Sequence, residues 1–289
     1  MTTRRDFIAF AAGVSCPMPA GRAIAQSRAP GPISAELIAR ILASPDRTAA
    51  DRTNDLRRRP EAMLAFIGIR PGITALDLSA AGGYTTELLA RAIGPTGVVY
   101  GQSRPPGAGR PATPAPAPEG NSRPDVPPPA APSGAPRPSP AALAEREARL
   151  RAAGVAAAPI TAVSRPFEDP IPPERSADGL DLVTLMFNYH DLGHLDVDRA
   201  AMNAAVFHAL RSGGHYVIAD HSGRPGTGIS EAGTLHRIEE AFLRREVEAA
   251  GFSLVAEGDF LRNPNDPRDR NTPDPPQPKD QFVLKFVKP

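Results

Sequence analysis

The residues best suited to chemistry fall in two short stretches, Asn188-Tyr189-His190-Asp191-Leu192-Gly193-His194 and Asp220-His221. A histidine beside a carboxylate can accept or hold a proton near neutral pH, because the carboxylate orients the ring and stabilises its charged form. His190 is the first candidate for such a base, with Asp191 or Asp220 to orient it, Tyr189 next to it, and His221 as the second choice. The same residues admit a metal reading. His190 and His194 are four apart, which puts both rings on one face of a helix, but Gly193 between them argues for a loop. Asp191, Asp220, His221 and His236 would then have to complete the site in space, and no residue is assigned as a metal ligand on this pattern. A serine nucleophile is not indicated, since no Ser sits in a Gly-x-Ser-x-Gly turn.

Positioning these groups requires strands whose ends meet at one edge. Leu182 to Phe187 is a fully apolar run, expected for a central parallel strand, and it delivers Asn188 to Asp191 at its carboxyl end. Asp198 to Leu210 reads as the next helix, and His215 to Ala219 as a strand that carries Asp220-His221 to the same edge. Upstream, Ile73 to Leu78 is a buried-strand run with Asp77 near its end. Ser79-Ala80-Ala81-Gly82-Gly83 forms a turn of small residues, and Thr85 to Ile93 has helical spacing of Leu88, Leu89 and Ile93. A helix that opens at a strand's carboxyl end points its free N–H groups into the crevice where ligands of open α/β sheets bind.

Further elements alternate in the same way. Ser34 to Ile41 is a short amphipathic helix capped by Ser34, and Asp51 to Ile67 is helical with a break at Pro60. Val98 to Tyr100 and Ile160 to Val163 are short strands, with a helix from Pro140 to Ala153 between them. Thr234 to Ala250 has the most regular helical stripe, Leu235, Ile238, Phe242 and Val247, and the strands Ser253 to Val255 and Gln281 to Val287 follow. Arg57-Arg58-Arg59 reads as a solvated helix face. Arg104 to Pro140 is rich in Pro, Ala, Gly and Ser with almost no large apolar residue, and is expected to be a disordered insertion.

Asp77-Leu-Ser-Ala-Ala-Gly-Gly-Tyr-Thr-Thr-Glu resembles the first motif of class I S-adenosylmethionine-dependent methyltransferases. Gly83 keeps the last glycine of that motif, while Ser79 and Ala81 occupy the two earlier positions. Asp51 to Asp55, Arg59-Pro60-Glu61 and Phe66 to Gly72 also resemble a subgroup of predicted, often exported methyltransferases. The resemblance runs from about Asp51 to Pro289 and implies a Rossmann-like, doubly wound, mostly parallel seven-stranded α/β sheet ending in an antiparallel hairpin. It implies S-adenosylmethionine as cofactor, held by Asp77, Ser79, Ala81, Gly82, Gly83 and Tyr84. Gln102 stands where the superfamily usually has an acidic residue for the ribose hydroxyls, Glu168 near the adenine position, and Asn188 at the fourth strand's end.

Composition limits the remaining choices. Of the 289 residues, 35 are proline, and most of that excess belongs outside a packed core. Thr3-Arg4-Arg5-Asp6-Phe7-Ile8 is a twin-arginine pattern, followed by a short apolar segment and by Ala23-Ile24-Ala25, a small-x-small cleavage site. Residues 1–25 are thus expected to be a signal peptide read by the twin-arginine export machinery, with residues 26–50 a linker and short helix and the folded protein placed in the periplasm or secreted. Cys16, the single cysteine, lies inside that segment; a lipid anchor there would need the poor lipobox Gly13-Val-Ser-Cys16. Basic and acidic residues number 33 and 32, a balance that argues against nucleic acid as partner, and no stretch is long and apolar enough for a mature membrane span. Two functions follow: a methyltransferase for a small-molecule acceptor, or a non-enzymatic exported binding protein on a degenerate methyltransferase fold, with the His cluster open to a metal.

Overall fold

The computed structural model of the protein describes Met1 and residues 31–105, 139–177, 179–273 and 277–289. The expected signal peptide and nearly all of the Pro-rich insertion lie outside these. All the elements below lie within Gly31–Pro289, which forms one compact unit.

Helix α1 (Ala35–Ala43) starts where Ser34 Oγ accepts from Leu37 N–H, and α2 (Ala49–Arg58) starts where Thr48 Oγ1 accepts from Asp51 N–H. Pro60 opens α3 (Pro60–Ile67): it lacks the N–H that a first-turn residue leaves unpaired anyway, and Arg59 before it turns left-handed to separate the two helices. The chain then alternates through β1 (Thr74–Leu78), α4 (Tyr84–Ile93), β2 (Val98–Ser103), α5 (Ser139–Ala152), β3 (Ile160–Ser164) and β4 (Leu180–Met186). It ends with α6 (Arg199–Ala209), β5 (Leu210–His221), α7 (Ala232–Leu235), α8 (Glu240–Ala249), β6 (Ser253–Gly258) and β7 (Gln281–Val287).

The strands form one seven-stranded sheet in the order β3-β2-β1-β4-β5-β7-β6. Five are parallel, and β7 runs antiparallel to both of its neighbours, β5 and β6. This is the doubly wound sheet with an antiparallel C-terminal pair that the alternation implies. Period-two alternation along each strand divides the core into two layers. Leu76, Val183, Ile218 and Phe286 face α6 and α8 through Met202, Val206, Leu243 and Val247. Ala75, Leu182, Val217 and Val283 face the other helices, with Ile38, Met63, Leu89 and Leu150. The winding reverses between β1 and β4, so their carboxyl ends flank the crevice in which sheets of this kind bind ligands.

One predicted element is corrected. The Thr234–Ala250 stripe is not a single helix but α7 and α8, with His236 left-handed between them. Ile238 N–H donates to His221 O and Gly223 N–H to Ile238 O, a parallel bridge that extends the edge of β5. Arg237 is completely buried there and pairs with Asp266 at 2.8 Å. Tertiary pairing thus outweighs a helical period that local spacing alone supports.

Candidate functional site

The turn after β1 has the backbone that its glycine positions require. Ser79, Ala81 and Gly83 all have positive φ, at 57°, 46° and 75°. Glycine adopts this region freely, whereas Ser and Ala meet a Cβ clash, so two of the three positions carry strain. The turn is fixed to β2: Ala80 N–H donates to Gln102 O at 2.8 Å and Ser79 N–H to Gln102 Oε1 at 3.0 Å. A side chain at Gly83 would add a second cost to its φ, because a Cβ there would lie 2.7 Å from the Leu143 side chain and 2.8 Å from that of Arg146, both on α5. Gly83 also caps α4 without a side chain, which leaves the first N–H groups of that helix to a ligand or solvent.

Beside this turn is a cleft of about 250 Å³ lined by Asp77 to Gly82, Tyr84, Thr85, Met186 and Phe187, with Asn54 and Arg58 reaching in from α2 and Arg146 from α5. Asp77 is buried and accepts from Thr86 Oγ1 at 2.7 Å and Thr184 Oγ1 at 2.8 Å, tying β1 to α4 and β4. Burial raises its pKa to about 6 against the opposing pull of the two hydroxyls. Tyr84 Oη donates to Asp55 Oδ1 at 2.6 Å and holds α2 over the cleft. Arg58 lies 3.7 Å above the Phe187 ring and so departs from the solvated face read from sequence, while Arg59 is exposed and donates to Phe260 O. Sequence reasoning missed several residues that line the cleft, among them Arg146, Phe187, Asn54 and Arg58; the last two stand one helical turn apart, and their i, i+4 spacing is the signal for them.

At the neighbouring strand ends, Phe187 leaves β4 with φ 61°, and Asp220 and His221 close β5. His190 is fully buried, with Nδ1 2.6 Å from Asp220 Oδ1 and its backbone N–H donating to Asp220 Oδ2 at 2.8 Å. His221 N–H also donates to Asp220 Oδ1, at 2.7 Å. His190 Nε2 and His236 Nδ1 each lie 3.2 Å from Asp191 Oδ1, while Asn188 Nδ2 donates to Asp191 Oδ2 at 2.7 Å. Ring contacts then run from Phe187 to His221, His190, His236 and His194 at centroid distances of 5.6, 5.5, 5.5 and 6.1 Å. Burial pushes the His190 pKa down, but Asp220 and Asp191 outweigh it and raise it to about 10. Burial likewise opposes ionisation of Asp191, yet His190 and His236 hold it well below the usual carboxylate range.

Several predicted site residues take other positions. His190 is oriented by Asp220 as expected, but its ring keeps its proton at neutral pH, unlike a base poised near pH 7. Tyr189 faces the opposite layer: its hydroxyl donates to Glu246 and accepts from Asn203, a core contact remote from the cleft. Gln102 is fully buried, with Oε1 accepting from Ser79 N–H and Nε2 donating to Arg165 O at 2.7 Å, so its amide ties the turn to β2 and does not line the cleft. Glu168 accepts from Asp198 N–H and does not line the cleft, and Asn188 is occupied by Asp191. The segment from His190 to Gly193 is one 3-10 turn, not an α-helix; His236 joins His190 from another element.

No protein-family model and no curated protein matches the sequence. Solved structures do resemble the fold. A chain of the complex between the Haloferax volcanii Trm112 methyltransferase activator and a methyltransferase aligns with TM-score 0.50 and 16% identity, over 89% of this chain and 99% of that one. A SAM-dependent methyltransferase from Aquifex aeolicus aligns with TM-score 0.49 and 13% identity, over 84% of this chain and all of the other. A S-adenosylmethionine-dependent methyltransferase from Mesorhizobium loti gives 0.46 and 15%, over 81% and 99%. At these identities the Haloferax alignment establishes the architecture: the chain has the Rossmann-like fold of methyltransferases.

Proposed function

We propose that the protein is an S-adenosylmethionine-dependent methyltransferase that acts on a small-molecule acceptor. The observation that carries this reading is the turn from Ser79 to Gly83, held at positive φ at alternate positions beside a cleft at the β1/β4 reversal. Its backbone leaves room for a ligand to approach closely, and the open start of α4 adds N–H donors. These features fit the methionine end of the cofactor. The ribose end must be held differently from the pattern that the family resemblance implies, because Gln102 is already paired on both sides.

When bound, the cofactor supplies an electrophilic methyl group on a sulfonium. The chain's own groups align and shield it. Asp77 places a carboxylate in the lining of the cleft, where a cationic ligand would favour its ionised form. Phe187, under Arg58, forms the wall towards β4 and β5, on whose side the acceptor would enter. His190 and Asp220 act behind this wall as a charged positioning pair. Export by the Arg4-Arg5 leader belongs to the same proposal, with folding completed before the chain reaches the periplasm.

Calorimetric titration of the full chain with S-adenosylmethionine and S-adenosylhomocysteine tests the reading. Micromolar binding, about −8 kcal/mol, that is weakened at least tenfold by Asp77→Ala is the expected result. Absence of binding at millimolar ligand would instead support a non-enzymatic binding protein, the reading favoured by the paired Gln102 and the strained Ser79 and Ala81.

A further inference from the structure

We infer that His190, Asp191 and His236 form a binding site for a divalent transition-metal ion of the Zn²⁺ type, with Asp220 holding the far nitrogen of His190. One donor atom from each of the three residues lies within 4.8 Å of the others. Asp191 Oδ1 is 3.2 Å from both His190 Nε2 and His236 Nδ1. A tetrahedral ion with bonds of about 2.0 Å sets its ligand atoms about 3.3 Å apart, which the two separations to Asp191 already match.

Two features favour an ion over a plain histidine–carboxylate network. His190 Nε2 is completely buried, and its polar neighbour, Asp191 Oδ1 at 3.2 Å, pairs with it by charge without hydrogen-bonding geometry. Its other nitrogen is 2.6 Å from a carboxylate that also accepts from the backbone N–H groups of His190 and His221. That carboxylate–histidine pair is the arrangement that fixes the tautomer of a metal-ligating imidazole and raises its basicity, and the ion would displace from Nε2 the proton that the ring otherwise holds at neutral pH. Asn188 occupies Asp191 Oδ2 and leaves Oδ1 turned towards the two rings. Two imidazoles and one carboxylate select an ion of intermediate softness rather than Mg²⁺ or Ca²⁺, which prefer oxygen. The side chains of Asp191 and His236 are 24% and 12% exposed, which gives the ion a route in and a fourth position for water or an oxygen donor. The site does not depend on the proposed cofactor, from which Phe187 and His221 separate it.

The test uses the untagged full chain, stripped with chelator and titrated with Zn²⁺ by calorimetry and with Co²⁺ by visible absorption. Expected are one ion per chain, d–d bands of a four- or five-coordinate site, and at least tenfold weaker binding in His236→Ala and in Asp191→Asn. His208→Ala, on the exposed face of α6, should bind as the wild type does. In wild-type protein, which avoids any folding defect of the variants, bound Co²⁺ should shift the ring protons of His190 and His236 but not those of His208. Failure to bind, equal binding by His236→Ala and Asp191→Asn, or paramagnetic shifts centred on other histidines would each overturn the assignment.

Discussion

The turn after β1 and the cluster at the ends of β4 and β5 sit side by side on one sheet edge but are built by opposite means. The first is made of backbone: its residues are small, its bonds run to Gln102, and its strain is conformational. The second is made of side chains, with His190 and Asp220 both fully buried and each hydrogen bond dependent on a particular atom. Backbone sites tolerate changes of side chain at the cost of a dihedral, whereas side-chain sites fail when one partner is lost. Substitutions should therefore cost several kcal/mol in the cluster and about one in the turn.

Asp220→Ala should show the largest effect. It leaves the His190 ring nitrogen and the N–H groups of His190 and His221 without their acceptor inside the core, a loss of about 3–5 kcal/mol in denaturant unfolding. Asp220→Asn, which keeps one acceptor oxygen, should lose clearly less. The same pair sets an alkaline signature. His190 has a folded pKa of about 10, above its unfolded value, so its contribution is complete below about pH 6.5 and is lost as pH rises through 10. Asp220→Ala should flatten that decline. Equal stability of variant and wild type would show that the cluster is as forgiving as the turn.

Asp77 is a buried side chain within the backbone-built region and so tests where the division lies. Its folded pKa is about 6, above the unfolded value of 3.8, so its contribution is full below pH 3.8 and lost as pH rises through 6. Asp77→Asn keeps an acceptor for one threonine hydroxyl and a donor for the other, and has no charge to bury. Relative to this variant, the wild type should lose on the order of 3 kcal/mol between pH 4 and 6, read from urea midpoints across that range. A constant difference over the range would mean that water reaches the carboxylate.

These two regions also differ in how far the sequence revealed them. The turn is local: an apolar strand run, Asp77, five small residues and a helical stripe lie within one contiguous segment, and the structure places all of them as read. The strand ends at Asn188 and Asp220 were legible for the same reason, since apolar runs with Gly punctuation mark buried strands. What could not be read was pairing across the sheet. Gln102 lies 23 positions from Ser79, and nothing in its own neighbourhood shows that both ends of its amide are taken. Tyr189 follows Asn188 in the chain, yet its ring turns into the layer of α6 and α8. His236 reaches Asp191 only because Arg237 is buried and breaks the helix that its neighbours' spacing suggests.

The smallest effect belongs to the turn itself. Ala81 lines the cleft at φ 46°, and replacing it with glycine removes a Cβ clash of about 1–2 kcal/mol, offset in part by about 0.5–1 kcal/mol of extra freedom in the unfolded chain. Ala81→Gly should thus stabilise the protein by up to about 1 kcal/mol, a rise of a few degrees in melting temperature. Gly83→Ala makes the reverse change two residues away, at φ 75°, where the new Cβ would also meet Leu143 and Arg146. It should destabilise the protein by more than Ala81→Gly stabilises it, because the Leu143 and Arg146 side chains must shift in addition to the dihedral strain. If the two changes proved equal and opposite, conformational strain alone would account for the turn. A larger loss at Gly83 would show that α5 packing, absent at Ala81, keeps a glycine there while the two earlier positions accept Ser and Ala.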